Sequence, residues 1–114
     1  MERLVCSVEE CANASVVHVR GELDLASAPV LREVLVSVLA AAPATHLIVD
    51  LGGVEFIDST GIGVIVGAHQ RVTANGGWFT AVVTTPGVRK ALQMLGLLRA
   101  WRVTGSVEDA LSDV

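Results

Sequence analysis

A serine and a threonine followed by two spaced glycines, Asp58-Ser59-Thr60-Gly61-Ile62-Gly63, stand where an apolar, β-branched run gives way to a helical pattern. The run before them, His46 to Leu51, reads as a strand that Gly52-Gly53 breaks, with a second short extended piece over Val54 to Ile57. From Ile62 onward the pattern changes: Ile62, Ile65, Val66, His69 and Val72 recur at the three-and-four spacing of a helix that buries one face. Asp58 and Ser59 are both good N-cap residues, so the helix boundary falls on one of them or between them. The Ser59 hydroxyl therefore stands at the positive end of a helix, where a negative group is favoured.

Two chemistries use a hydroxyl so placed. Acyl transfer through a nucleophile elbow needs G-x-S-x-G, with a small residue two positions before the serine. That position holds Ile57, and only Gly61 fits. A nucleophilic serine also needs an oriented histidine base, and the three candidates are poorly placed. His18 lies in an apparent strand, His46 begins another, and His69 sits more than two helical turns beyond Ser59. A serine hydrolase is thus the lesser reading. The other chemistry is phosphorylation of Ser59 by a partner enzyme, which adds about −1.5 to −2 charge beside Asp58 and the helix start. The helix start welcomes that charge and Asp58 repels it, so the domain itself tolerates the group. A protein packed over Ser59 would instead have to bury a dianion.

The neighbours of Ser59 divide between acceptor and contact roles. Thr60 is the rival acceptor, but its β-branched side chain one step into the helix is better suited to shaping a contact surface. Gly61, Gly63 and Gly67 each cost about 0.8–1.0 kcal/mol relative to alanine inside a helix, which implies that something approaches closely. The expected neighbours are a partner at Gly61 and the fold's own packing at Gly67. Ile62, with Leu95 and Leu97, would give that partner an apolar anchor.

Composition narrows the functional class. The chain has 114 residues, enough for one domain with a real core and no disulfide or metal to support it. Its 8 Lys and Arg are outnumbered by 12 Asp and Glu, and no basic stripe forms, which argues against nucleic-acid binding. Hydrophobic residues make up 52% of the chain, which raises the question of a membrane. Ser37 interrupts the apolar run 34–42 and glycines interrupt 62–68, so nothing approaches the roughly 20 residues of a spanning helix. The N-terminus, MERLVCSVEECANAS, lacks the basic start and apolar centre of a signal peptide, so a cytoplasmic protein is expected. Cys6 and Cys11, with no second Cys or His pair near them in sequence, read as buried free thiols, and no metal is assigned. No phosphate-cradling G-x-x-x-x-G-K-[ST] is present, and no cofactor is expected.

The positioning elements alternate along the chain. Residues Leu4 to Val8 and Val16 to Leu23 read as extended, and a helix follows over Ala28 to Ala41 with Ser27 as its cap and Pro29 in its first turn. Leu31, Val34, Leu35, Val38 and Leu39 form its apolar stripe. After the Ser59 helix, Asn75-Gly76-Gly77 leads to a strand at Trp78 to Val83. A short helix opens at Thr85-Pro86, with Val88, Leu92 and Leu95 turned inward and Gly96 ending it. A last extended piece, Arg99 to Val103, precedes a helix over Val107 to Asp113 for which Ser106 and Asp109 make a capping box. Both tryptophans, Trp78 and Trp101, are expected to pack at the sheet edge. Such alternation implies an α/β fold with a central, largely parallel sheet.

The run I-D-S-T-G-I-G at Ile57 to Gly63, with G-E-L-D at Gly21 to Asp24 and S-A-P-V-L-R-E at Ser27 to Glu33, resembles the bacterial anti-sigma-factor antagonists, small STAS domains. The resemblance covers nearly the whole chain in order. It implies a STAS fold, a small mixed β-sheet with helices packed around it over residues 1–114. It implies further a non-enzymatic regulator that binds an anti-sigma factor serine kinase and so frees a sigma factor. Carried over to this sequence, it makes Ser59 the phosphate acceptor, with a PP2C-type phosphatase restoring the free form. It also puts Glu22 and Asp24 beside Ser59 on the kinase-facing surface, together with Asp58, Thr60, Gly61 and Ile62. Within the same fold, a STAS subunit of a lipid-transport or larger signalling assembly is the alternative.

Overall fold

The computed structural model describes residues 3–114; Met1 and Glu2, which open the segment read as lacking a signal peptide, lie outside them. Among the described residues, strands β1 (Val5–Cys11), β2 (Ala14–Leu23), β3 (His46–Ile57), β4 (Trp78–Val82) and β5 (Arg102–Thr104) lie side by side in chain order. β1 pairs antiparallel with β2, and every later pairing is parallel. A parallel neighbour requires a crossover, and helices supply each one: α1 (Ala28–Ala41), α2 (Ser59–Ala74), then α3 (Pro86–Met94) with the single turn α4 (Leu97–Ala100). The short helix α5 (Val107–Leu111) closes the chain. No described helix is long and apolar enough to cross a membrane.

Strand alternation sorts the core into two layers. Val17 and Val19, Leu47, Val49 and Leu51, and Phe79, Ala81 and Val83 point to one face, where Leu31, Leu35 and Leu39 of α1 and Ile65 and Val72 of α2 cover them. The opposite face carries Ala14, Val16, Ile48 and Val82, covered by Ala110 of α5. Trp101 is buried as expected, against Phe79 and His69 with ring centroids 5.1 and 6.3 Å away. Trp78 is 67% exposed, because it opens β4 at the end of the sheet rather than within its cover.

β3 departs from its sequence reading in a way that matters for the site. It is one continuous strand of 12 residues, not two pieces broken at Gly52-Gly53. The ten residues of β2 run alongside it because the register slips twice, between His18 and Arg20 and again between Gly21 and Glu22. Each slip places one extra residue in β3, a bulge that bends the strand and re-aims its side chains. The first falls at the glycine pair. The second leaves both Glu55 and Phe56 facing outward before Ile57 returns to the core.

Other expectations shift by local geometry. The strands β1 and β2 run longer than their apolar patterns. Leu95 is 59% exposed rather than inward, since α3 ends at Met94 and the chain turns at Gly96. The turn α4 takes in Arg99 and Ala100, the first two residues expected to be extended, so the last strand begins only at Arg102. Ser106 Oγ accepts the Asp109 amide at 3.0 Å as a cap should, though α5 ends at Leu111. Cys6 and Cys11 are free and half-buried, and partial burial raises the Cys6 pKa.

Two histidines stitch strands together with opposite electrostatic signs. His18 on β2 bridges Asp50 on β3 at 2.8 Å and Glu9 on β1 at 3.1 Å. The Asp50 hydrogen bond leads in raising its pKa, Glu9 adds to it, and partial burial opposes. His46 Nε2 meets Thr80 Oγ1 at 2.8 Å in the interior, where burial, followed by the nearby Arg102 charge, lowers its pKa against a smaller opposing pull from Asp113. The His18 contribution to stability is complete below the unfolded value of about 6.5 and fades as pH rises through the raised folded value. The His46 contribution runs the other way, present above about 6.5 and lost as pH falls through its depressed value. In an NMR titration the His18 Hε1 midpoint should lie above that of a free histidine and the His46 midpoint below it. His18→Gln should remove the loss of stability on the alkaline side, and coincident midpoints would contradict the assignment.

Candidate functional site

The site is built on Asp58, the N-cap of α2. Its extended backbone ends β3, and its Oδ1 accepts the amides of Thr60 at 3.0 Å and Gly61 at 3.1 Å, satisfying donors that the helix start leaves without partners. The other oxygen, Oδ2, accepts the amide of Leu25 at 3.1 Å, across 33 residues of sequence. The Asp58 amide in turn donates to the Leu23 carbonyl at 3.1 Å. One residue thus fastens the β3–α2 junction to the β2–α1 loop.

That loop is stiffened from within. Asp24 Oδ1 accepts the amides of Ala26 and Ser27, both at 3.0 Å, so the capping carboxylate ahead of α1 belongs to Asp24. Ser27, expected as the cap, has helical backbone angles and makes no side-chain cap bond. Its hydroxyl donates instead to the Glu22 carbonyl at 2.7 Å and accepts the Asp24 amide at 2.9 Å. Glu22 and Asp24 are half-buried, as is Asp58, and the three residues stand at the C-terminal ends of β2 and β3.

Ser59 and Thr60 are exposed on the first turn of α2, and the Ser59 hydroxyl has no hydrogen-bond partner among the described residues. Gly61 and Ile62, expected on the partner-facing surface, turn inward. Ile62 is 6% exposed and packs into the core. At Gly61 a Cβ would lie 2.5 Å from Cγ of the fully buried Leu23, so this glycine is demanded by the seating of α2 on β2. A side chain there would impose a strain of about 1–3 kcal/mol, typical of an overfilled core. Gly67 reverses its expectation as well, since a Cβ there would touch nothing within 4 Å. Leu97 is half-buried, so of the proposed apolar anchor only Leu95 is exposed.

Two apolar side chains that sequence reasoning passed over are exposed on the segments that adjoin Asp58 and Ser59. Leu25, whose amide Asp58 holds, is 72% exposed, and Phe56 on the second bulge is 50% exposed. An apolar residue inside the turn sequence Asp-Leu-Ala-Ser was the available signal for Leu25. Phe56 gave none, because its orientation depends on the register with β2.

The arrangement does not support acyl transfer. His18 is held between two carboxylates, His46 bonds Thr80 at the start of the strand whose far end leads to Ser59, and His69 packs against Phe79 and Trp101. No cluster of three or more metal-ligating side chains occurs among the described residues. What remains is an exposed hydroxyl, an anchored helix start, three carboxylates and two apolar neighbours. The anchoring separates two variants of Asp58. Asp58→Asn keeps an oxygen for the cap but offers the Leu25 amide a donor, whereas Asp58→Ala loses both contacts. Urea unfolding should show the alanine variant less stable by about 1–2 kcal/mol, the scale of a lost cap. Both variants should speed hydrogen exchange at the Leu25 amide, and unchanged exchange in both would show that the tie carries nothing.

A family model of the STAS domain matches residues 6–110. The anti-sigma-F factor antagonist RsfB of Mycobacterium tuberculosis is 27% identical over 113 residues, covering 99% of this chain and 91% of the relative. The anti-sigma-B factor antagonist of Bacillus subtilis is 43% identical over 70 residues, 61% of this chain and 62% of that one. Among solved structures, an anti-sigma factor antagonist from Mycobacterium paratuberculosis superposes with a TM-score of 0.89 at 31% identity, covering 97% of this chain and 93% of its own. The phosphorylated form of the Bacillus protein SpoIIAA, at 23% identity, shares the fold with a TM-score of 0.75 over 96% of this chain and 98% of its own. The chain belongs to the STAS domain family, among the anti-sigma-factor antagonists, whose members are regulatory modules without catalysis of their own.

Proposed function

We propose that this domain, with Ser59 unmodified, binds an anti-sigma factor of the serine-kinase kind and so releases a sigma factor in the cytoplasm. The kinase phosphorylates Ser59, the modified domain lets go, and a PP2C-type phosphatase resets it. The observation that carries the proposal is the exposed Ser59 hydroxyl, without a hydrogen-bond partner among the described residues, on a helix start that Asp58 anchors to the neighbouring loop. The protein relatives support the class of partner through what they are called, anti-sigma factor antagonists, and the SpoIIAA structure supports a phosphorylated state within the same fold.

The physics of the switch follows from charge at a contact. A phosphate on Ser59 joins Asp58, Asp24 and Glu22, and a partner drawn to those carboxylates by basic residues would gain charge attraction at long range. At contact, however, the partner face has been shaped around a neutral hydroxyl and the apolar Leu25 and Phe56. Burying an unpaired dianion there is costly, and a penalty of about 3 kcal/mol weakens binding more than a hundredfold. Thr60 lies beside the acceptor and shapes the same contact.

Incubating the protein with candidate anti-sigma kinases and ATP, then locating phosphate by mass spectrometry, tests the assignment. Label should fall on Ser59 alone. Ser59→Ala should bind the kinase like the parent and take no label, and Ser59→Asp should bind at least tenfold more weakly. Label on Ser59→Ala, or equal binding of the modified and unmodified chains, would overturn the proposal.

A further inference from the structure

A groove of about 470 Å³ runs between α1 and α2, outside the Ser59 surface but sharing Thr60 with it. Leu35, Val36 and Val64 line its apolar walls, while Arg32 and Arg71 also line it. Thr60 and Arg71 are 11 residues apart on α2, roughly 16 Å at 1.5 Å per residue, so the groove is about three helical turns long. Neither arginine has an ion pair among the described residues. Arg71 suits the C-terminal turn of α2 by its charge, but Arg32 sits in the N-terminal half of α1, where the helix dipole gives a cation no advantage. On a chain of net charge −4, this groove has the opposite sign from the molecule.

The wall that α2 contributes is unusually low. Gly63 and Gly67 both line the groove, and a Cβ at either would meet nothing within 4 Å. Unlike Gly61, they are not required by the packing of the fold, although each costs the helix about 0.8–1.0 kcal/mol relative to alanine. Their effect is to leave bare backbone facing the groove, where another helix could approach more closely than side chains would permit.

We propose that this groove is a docking surface for an amphipathic, acidic helix of a partner protein, a third helix laid along α1 and α2. Its apolar side chains, spaced three and four residues apart, fill the space over Gly63 and Gly67 against Leu35 and Val36. Its carboxylates, about three turns apart, meet Arg32 at one end and Arg71 at the other. The groove adjoins the Ser59 contact at Thr60 and runs away from it along α2, and the inference does not depend on which partner Ser59 engages.

The probe is a fluorescein-labelled, helix-stabilised 18-residue peptide with leucines on one face and glutamates three turns apart, its control carrying lysines in place of the glutamates. Binding to the whole chain is read by fluorescence anisotropy. The acidic peptide should saturate, bind at least tenfold more tightly than the lysine control, and weaken as salt rises. Gly67→Leu, which fills the groove without lowering the melting temperature, and Arg71→Glu should each weaken it at least tenfold. No saturable binding, equal binding of the two peptides, or parental affinity in both variants would overturn the proposal.

Discussion

The carboxylate of Asp58 joins two pieces of chain that lie far apart in sequence. One oxygen satisfies the helix that follows, and the other grips the amide of Leu25 in a loop 33 residues earlier. Because both oxygens are engaged, the start of α2 and the β2–α1 loop form a single surface before any partner arrives. A preformed surface loses little conformational freedom on binding, so its affinity responds sharply to a local change of charge. The adjacent serine is where such a change would be made.

The rest of the fold serves this junction. The two bulges in β3 let a strand of 12 residues run beside one of ten and finish level with it, so that Asp58 reaches the Leu23 carbonyl. Gly61 then allows the first turn of α2 to press against Leu23. A core of alternating strand residues beneath α1 and α2 fixes the two helices side by side. On the far face, His18 links three strands through Glu9 and Asp50.

What could be read from the chain beforehand was whatever local chemistry decides. The boundary at Asp58 and Ser59 follows from cap preference and the change of apolar spacing, and both hold in the structure. The apolar stripe of α1 was equally plain, with Leu31, Leu35, Val38 and Leu39 all buried. Features set by a distant neighbour were not visible. Gly61 and Gly67 look alike in sequence, yet Leu23 crowds one and nothing crowds the other. Asp24 and Ser27 are both cap residues, and only the folded loop decides that Asp24 takes the amides. Ile62 was read as an anchor because an apolar residue near an exposed turn fits either side, and the core took it. Phe56 was set outward by a register slip that exists only once β2 is beside β3.

Under the proposed switch, charge placed on Ser59 acts at a contact and leaves the fold as it is. Amide chemical shifts of the unmodified and Ser59-phosphorylated chains separate a local change of charge from a rearrangement. The changes should be confined to the first turn of α2 and the loop from Asp24 to Ala28. Shifts spreading through β1, β4 and α5 would contradict it, because the modification would then be rearranging the domain rather than recharging its surface.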